Sequence, residues 1–289
     1  MPFTYSAHEI LNKAHQQKYA IGAFNAANLE TIKAIVQAAD HLRSPVIIES
    51  SSGETDYIGA ENLVDVVENY RQQYQLPILV NLDHSPSEEA ADIGINAGYD
   101  LIHIDTSELP YDQNLQIVTR VAQKAHAKNL LVEAEVDHIT GSSNFHQEGI
   151  ETQQQQGHYT NPDQALDFVA RTGIDTFASF VGNVHGLYLN QPKTLNIPLL
   201  QQIAGKVKCF LSLHGGSGIP DGQIQAAISA GIVKININSE LRLAYRDSLK
   251  QALSQTEELA IYKITPPAIA TVQKIVEQKI LLFGSAGKA

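Results

Sequence analysis

What restricts this chain most is an alternation: short β-type runs recur between longer stretches of helical periodicity, up to residue 237. The candidate strands are Ala20–Phe24, Pro45–Ser50, Pro77–Leu82, Asp100–Ile104, Leu130–Glu135, Thr176–Phe180, Lys206–Leu213 and Val233–Ile237. Several are apolar almost throughout, as in ILVNL and VKCFLSL. Strands buried on both faces read this way, and parallel sheets under crossover helices supply such burial. The intervening segments have the helices. Leu29–Leu42 places Ile32, Ile35, Val36 and Ala39 on one face, and Leu115–Asn129 carries Ile117, Val118, Val121 and Ala125. Ser87–Gly98 stops at glycine, while Pro162–Gly173 and Pro220–Gly231 each begin near proline and end at glycine, as helix boundaries do. Eight such units fit a closed α/β barrel, the (β/α)8 or TIM barrel, better than an open sheet. Ser239–Ser254 and Pro266–Lys279 add C-terminal helices.

The 289 residues, 43% of them hydrophobic, suffice for one large core, and a barrel of this kind takes about 250. With no evident linker, one domain over residues 1–289 is expected. A net charge of -11 argues against nucleic acid, which draws a basic patch. The start, MPFTYSAHEILNKAHQQ, reads as an amphipathic helix, not a signal peptide. No run reaches the roughly 18 apolar residues of a membrane span. The single cysteine, Cys209, cannot form an internal disulfide and reads as a small core residue. These features point to a cytoplasmic protein. Gly141–Asn161 is polar and reads as a long loop at the C-terminal end of the strands, with Gln153–Gln156 as solvent-exposed filler.

Three histidines stand just beyond candidate strands: His84 after ILVNLD, His185 after FASFVGNV and His214 after CFLSL. All three would meet at one end of a barrel, where active sites sit. Three neutral imidazoles and an open position suit catalytic zinc, although the same residues also suit phosphate binding or metal-free acid–base work. Asp83 precedes His84, and neighbours in an extended segment point apart, so one can ligate while the other faces substrate. Glu133 and Glu135 share a strand face; either can join a metal or hold a ligand in place. His138, His146 and His158 read as loop surface residues. HGGSGIPDG (214–222) offers backbone N–H groups to an anion, and KININSELR (234–242) ends a strand and opens a helix. Loops in these positions form the common barrel phosphate site. Alone, a glycine turn is equally a tight connection and an asparagine there a helix cap.

Taken together, the motifs resemble the class II ketose-bisphosphate aldolases, the fructose- and tagatose-bisphosphate enzymes. The resemblance runs nearly end to end: GAFNAANLE (22–30), PVIIESSSG (45–53), LDHS (82–85), VEAE (132–135), GNVHGLY (182–188), LHGGSGIPD (213–221), VKININSELR (233–242) and FGSAGKA (283–289). It implies Zn2+ held by His84, His185 and His214, with Asp83 moving the proton of the C4 oxygen and Asn236 hydrogen-bonding the intermediate. It implies that Gly186, Gly215, Ser217, Asn238 and Ser239 cradle the phosphate of the dihydroxyacetone phosphate part. Asn25 and Ser51 match residues lining the substrate pocket, and Glu135 matches a glutamate near the metal. A monovalent cation, Na+ or K+, would sit among backbone oxygens around Gly182, Gly215 and Ser217. Relatives of this kind are homodimers or homotetramers.

The chain also departs from the pattern. It reads VEAEVDHITG where many members have VEAELG and a GG turn, Leu189 stands where a lysine is common, and Asn238 where an aspartate is common. The arginine common just before a YLxP-like segment is missing before Tyr262, which leaves Arg242, of the same or a neighbouring subunit, as a candidate for the distal phosphate. Glu148 and Glu151 are candidates for proton exchange at the carbanion carbon. The expected reaction is cleavage or condensation of a ketose 1,6-bisphosphate through dihydroxyacetone phosphate and glyceraldehyde 3-phosphate. The alternatives are the same chemistry with another aldehyde, or a non-catalytic sugar-phosphate-binding barrel.

Overall fold

The computed structural model describes residues 4–141, 144–146, 158–188 and 192–289. In chain order the strands are β1 (Ile21–Asn25), β2 (Val46–Ser51), β3 (Ile78–Ser85), β4 (Leu101–Ile104), β5 (Leu131–Glu135), β6 (Phe145–His146), β7 (Thr176–Ala178), β8 (Leu187–Tyr188), β9 (Phe210–Leu213) and β10 (Ile232–Ile237). Eight of them close a barrel in the order β1-β10-β9-β7-β5-β4-β3-β2, and every pairing is parallel. The two-residue strands β6 and β8 pair separately. Each of the eight expected strands has its counterpart in the barrel, with shifted ends.

The largest shift is at Lys206–Cys209. Helix Ile197–Lys206 runs through Lys206, so only Phe210–Leu213 joins the sheet. The apolar run VKCFLSL carries no period that separates a helix end from a strand start. Between β2 and β3 lie two helices the sequence reading did not name, Ser52–Ile58 and Ala60–Tyr74. Gly59, at φ 83°, makes the corner between them.

Alternate strand residues point into the barrel, and the interior is layered. At the N-terminal end of the strands, Ile21, Ala23, Ile47, Leu79, Leu101 and Leu131 pack against Ile10, Leu11 and Ala14 of helix Ala7–Gln17. That helix stoppers the barrel. One step up, the layer is polar and fully buried: Glu49, Asn81, His103, Glu133, Ser212 and Lys234. The next step reaches the open end. Outside, helix Pro266–Phe283 lies against helices Leu29–Leu42 and Ser239–Ser254, burying Ala268, Val272, Val276, Ile280 and Phe283. No helix among the described residues is long and apolar enough to cross a membrane.

Candidate active site

Strand β3 delivers the first two groups. Its pairing with β4 slips between Leu82 and Ser85, and His84 takes a left-handed backbone at φ 52°. A non-glycine residue there costs about 1–2 kcal/mol. Such a bulge re-aims side chains. The segment is therefore not extended at this point, and the expectation that Asp83 and His84 point apart is corrected. Both turn to the pocket, with His84 Nε2 3.9 Å from Asp83 Oδ1. His84 also lies within β3 rather than beyond it.

Two carboxylates orient the imidazoles. His84 Nδ1 lies 2.7 Å from Asp105 Oδ2, and His214 Nε2 lies 2.6 Å from Glu133 Oε1. Burial would raise both carboxyls, but the imidazoles beside Asp105 and Lys234 beside Glu133 hold them well below the usual range. Being ionised, they only accept, so the facing ring nitrogens carry the protons. The remaining nitrogens, His84 Nε2 and His214 Nδ1, face each other at 2.9 Å. The His185 ring centre stands 5.1 Å from that of His84 and 6.0 Å from that of His214. Burial, with His84 and His214 nearby, holds the His185 pKa well below its ordinary value, so its imidazole is neutral. Ligand atoms of Asp83, His84, His103 and His214 lie within 4.8 Å of one another, and so do those of His84, Asp105 and Glu135. Oriented imidazoles beside carboxylates form a donor set that fits a divalent metal ion.

Asp83 is held from both sides. Asn25 Nδ2 donates to its Oδ2 at 3.2 Å and Asn236 Nδ2 to its Oδ1 at 3.2 Å. Burial opposes its ionisation, but His84 and bonding from His103 keep its pKa well below the ordinary value. Glu54 ties the neighbouring wall together, accepting from Asn25 at 3.0 Å, Ser51 Oγ at 2.9 Å and Arg242 at 2.6 Å. Glu135 is different. Ser107 donates to its Oε1, its Oε2 has no hydrogen-bond partner among the described residues but lies 3.8 Å from His103 Nε2, and burial and then Asp105 push its pKa well above the usual range.

The turn after β9 has an alternating backbone. Gly216 N–H donates to Asn236 O at 3.0 Å and Gly218 N–H to Glu240 at 2.8 Å. The N–H groups of Gly215 and Ser217 make no backbone or side-chain bond among the described residues, and both residues face the pocket. Gly215 has φ 62°, and a Cβ there would lie 2.3 Å from Val184 O. Helix Ser239–Ser254 starts at the same wall, with first-turn N–H groups available to an anion.

Of the fourteen residues singled out from the sequence, Asn25, Ser51, Asp83, His84, His185 and Gly186 line one cavity of 350 Å³. Gly215, Ser217, Asn236, Asn238, Ser239 and Arg242 line it too. Glu135 and His214 are fully buried and are not in its lining. His138 is an exposed loop residue, as expected, and lies at the cavity edge, while His146 stacks on Tyr188 with ring centres 4.8 Å apart. Leu189, Glu148, Glu151 and Gln153–Gln156 lie outside the described residues. A larger cavity of 1090 Å³ lies near helix Ala7–Gln17, away from these groups.

The sequence reading missed Asp105, Glu49, His103, Lys193 and Lys234. Lys234 Nζ lies 2.8 Å from Glu133 and 3.6 Å from Glu49, all three fully buried. Burial and Asp83 push Glu49 up to about 8, against the pull of Lys234. For all of these but Lys193 the signal was the two-residue period: HID, KIN and ESS place a polar residue two before the next, as VEAE does.

Barrel, histidine cluster and glycine turn together define a metal-dependent lyase site. Residues 5–288 match the family model "Fructose-bisphosphate aldolase class-II". The chain belongs to that family and is a class II aldolase, a carbon–carbon lyase. It is 36% identical over 289 residues to the D-tagatose-1,6-bisphosphate aldolase subunit GatY of Klebsiella oxytoca, covering 99% of each chain. The crystal structure of the YdjI aldolase from Escherichia coli K12 superposes with a TM-score of 0.84 at 31% identity, covering 98% of both chains. A fructose-bisphosphate aldolase from Campylobacter jejuni, 22% identical with a TM-score of 0.81 over 99% of this chain and 97% of its own, shares the fold.

Proposed function

We propose that this enzyme reversibly cleaves a ketose 1,6-bisphosphate, fructose or tagatose, to dihydroxyacetone phosphate and glyceraldehyde 3-phosphate. One observation carries the reading: the His84 and His214 nitrogens converge at 2.9 Å beside the ionised Asp83. On this reading His84, His185 and His214 hold Zn2+, which when bound supplies Lewis-acid stabilisation of charge on the carbonyl side of the broken bond, worth several kcal/mol.

Asp83 takes the proton from the C4 hydroxyl in cleavage and returns it in condensation. The Asn25 and Asn236 amides aim its two oxygens, and Asn236 also hydrogen-bonds the reacting fragment. Gly215, Ser217, Gly186, Asn238 and Ser239 cradle the phosphate near the metal, supported by the unbonded N–H groups of Gly215 and Ser217. Asn25 and Ser51 line the sugar path, and Arg242 reaches the distal phosphate, exchanging Glu54 for it. Glu135 sits beside the metal position, where burial and then Asp105 push its carboxyl above the usual range. Carbonyl oxygens of Gly215 and Ser217, two of the groups expected around a monovalent cation, already accept from Lys193, and no step requires that ion. On family grounds we read the working unit as a homodimer or homotetramer, which sedimentation velocity tests.

The test compares release of dihydroxyacetone phosphate from the two bisphosphates by zinc-loaded protein. Asp83→Ala, lacking the proton carrier, is expected to lose about 10²–10⁴ in kcat, with zinc content unchanged. No release from either sugar by zinc-loaded protein would overturn the bisphosphate reading and favour another aldehyde acceptor.

A further inference from the structure

Lys193 is 1% exposed, yet no carboxylate among the described residues lies within ion-pair distance of its Nζ. Instead the ammonium donates to Gly215 O at 2.7 Å and Ser217 O at 2.6 Å, with the Tyr188 ring centre 6.0 Å away. Its own backbone is clamped: Gln223 donates to Lys193 O at 3.0 Å and accepts from Leu195 N–H at 2.5 Å. Burial pulls the Lys193 pKa down to about 7, with Glu240 favouring its charge and Lys279 opposing it, so an anion arriving at the turn would favour the ammonium form. The carbonyls it holds belong to the very turn whose alternate N–H groups face the pocket. Within a trans peptide, C=O and N–H point opposite ways. With Gly215 C=O on Lys193, Gly216 N–H is left to Asn236; with Ser217 C=O on Lys193, Gly218 N–H is left to Glu240. The N–H groups of Gly215 and Ser217 then remain for a ligand.

We propose that the Lys193 ammonium is a built-in cation behind the phosphate-binding turn, setting the turn's alternating peptide orientation and supplying positive charge that a dissolved monovalent ion would otherwise bring. Lys193 is a positioning residue, touching the turn and not the substrate. The resemblance to class II aldolases implies Na+ or K+ among these same carbonyls, and the site does not fit a second cation there. The proposal rests on the reading of this turn as an anion cradle.

The experiment measures inorganic phosphate binding to the zinc-loaded enzyme by titration calorimetry, in tetramethylammonium and in potassium buffers of equal ionic strength. The native enzyme is expected to bind phosphate equally in both. Lys193→Ala is expected to bind about ten- to a hundredfold more weakly in tetramethylammonium and to recover in potassium, which can enter the vacated space. Lys193→Met, which fills that space without charge, is expected to stay weak in both. Affinity of the native enzyme that rises with potassium would overturn the proposal, as would a Lys193→Ala variant that binds normally in tetramethylammonium or that potassium does not rescue. Should the variants fail to fold by circular dichroism, the native enzyme's response to potassium still decides. No phosphate binding by the native enzyme in either buffer would instead remove the cradle reading, and this proposal with it.

Discussion

Lys234 carries a full charge into the middle of the barrel, where Glu133 and Glu49 are its only carboxylate partners among the described residues. Breaking a buried pair by removing one member costs about 3–5 kcal/mol, because the other charge is stranded. Lys234→Met is therefore expected to lower stability by about that amount, read as a reduced urea midpoint. Cys209 makes a milder prediction. Burial, helped by Asp175, pushes its thiol up to about 12, so almost no thiolate exists at pH 8. Because Cys209 is only half-buried, iodoacetamide should label it slowly in the folded protein and faster once urea unfolds the chain; equal rates in the two states would contradict the raised thiol. Legibility at this scale divided by position. Asp83 and His214 stand at strand ends, where a polar residue breaks an apolar run visibly, and His185 lies on the connection after β7. Lys234, His103 and Glu49 sit inside runs that are otherwise apolar, and the strand reading absorbed them. Lys193 lies on a connection, and only the folded path brings it behind Gly215.

At the scale of elements, helices with a clean 3.6-residue period and a cap were readable: Leu29–Leu42 has Asn28 capping its start, and its bounds match the expectation. The β2–β3 connection was not, since Ser52–Ile58 has seven residues and buries only Glu54 and Thr55. The bulge in β3 was invisible for another reason. Register depends on the partner strand, and nothing local to LDHS announces a slip against β4. Helix Pro266–Phe283 extends past the expected Lys279, and Ile280, fully buried, lies in that extra turn. Ile280→Ala should cost about 2–5 kcal/mol, measured by chemical denaturation. A loss below that range would mean this turn contributes little to the packing between the C-terminal helix and helix Leu29–Leu42.

For the whole molecule, the metal cluster ties strands from opposite sides of the barrel, since His84 is on β3 and His214 follows β9. A ligand bound only by the folded state adds RT ln(1 + [L]/Kd), about 2.7 kcal/mol when free metal is 100 times Kd. Stripping with a chelator should lower the thermal midpoint, and zinc should restore it. An unchanged midpoint would mean the histidines are not bridged. The stopper formed by helix Ala7–Gln17 has a different kind of consequence. A barrel sealed at its floor is a vessel with one mouth, and cleavage turns one guest into two. They leave through the same doorway, so the fragment nearer the rim departs first and the one lodged against the floor waits. Departure is thereby queued: in product-inhibition kinetics, the last fragment to leave should compete with the incoming sugar and the first should not.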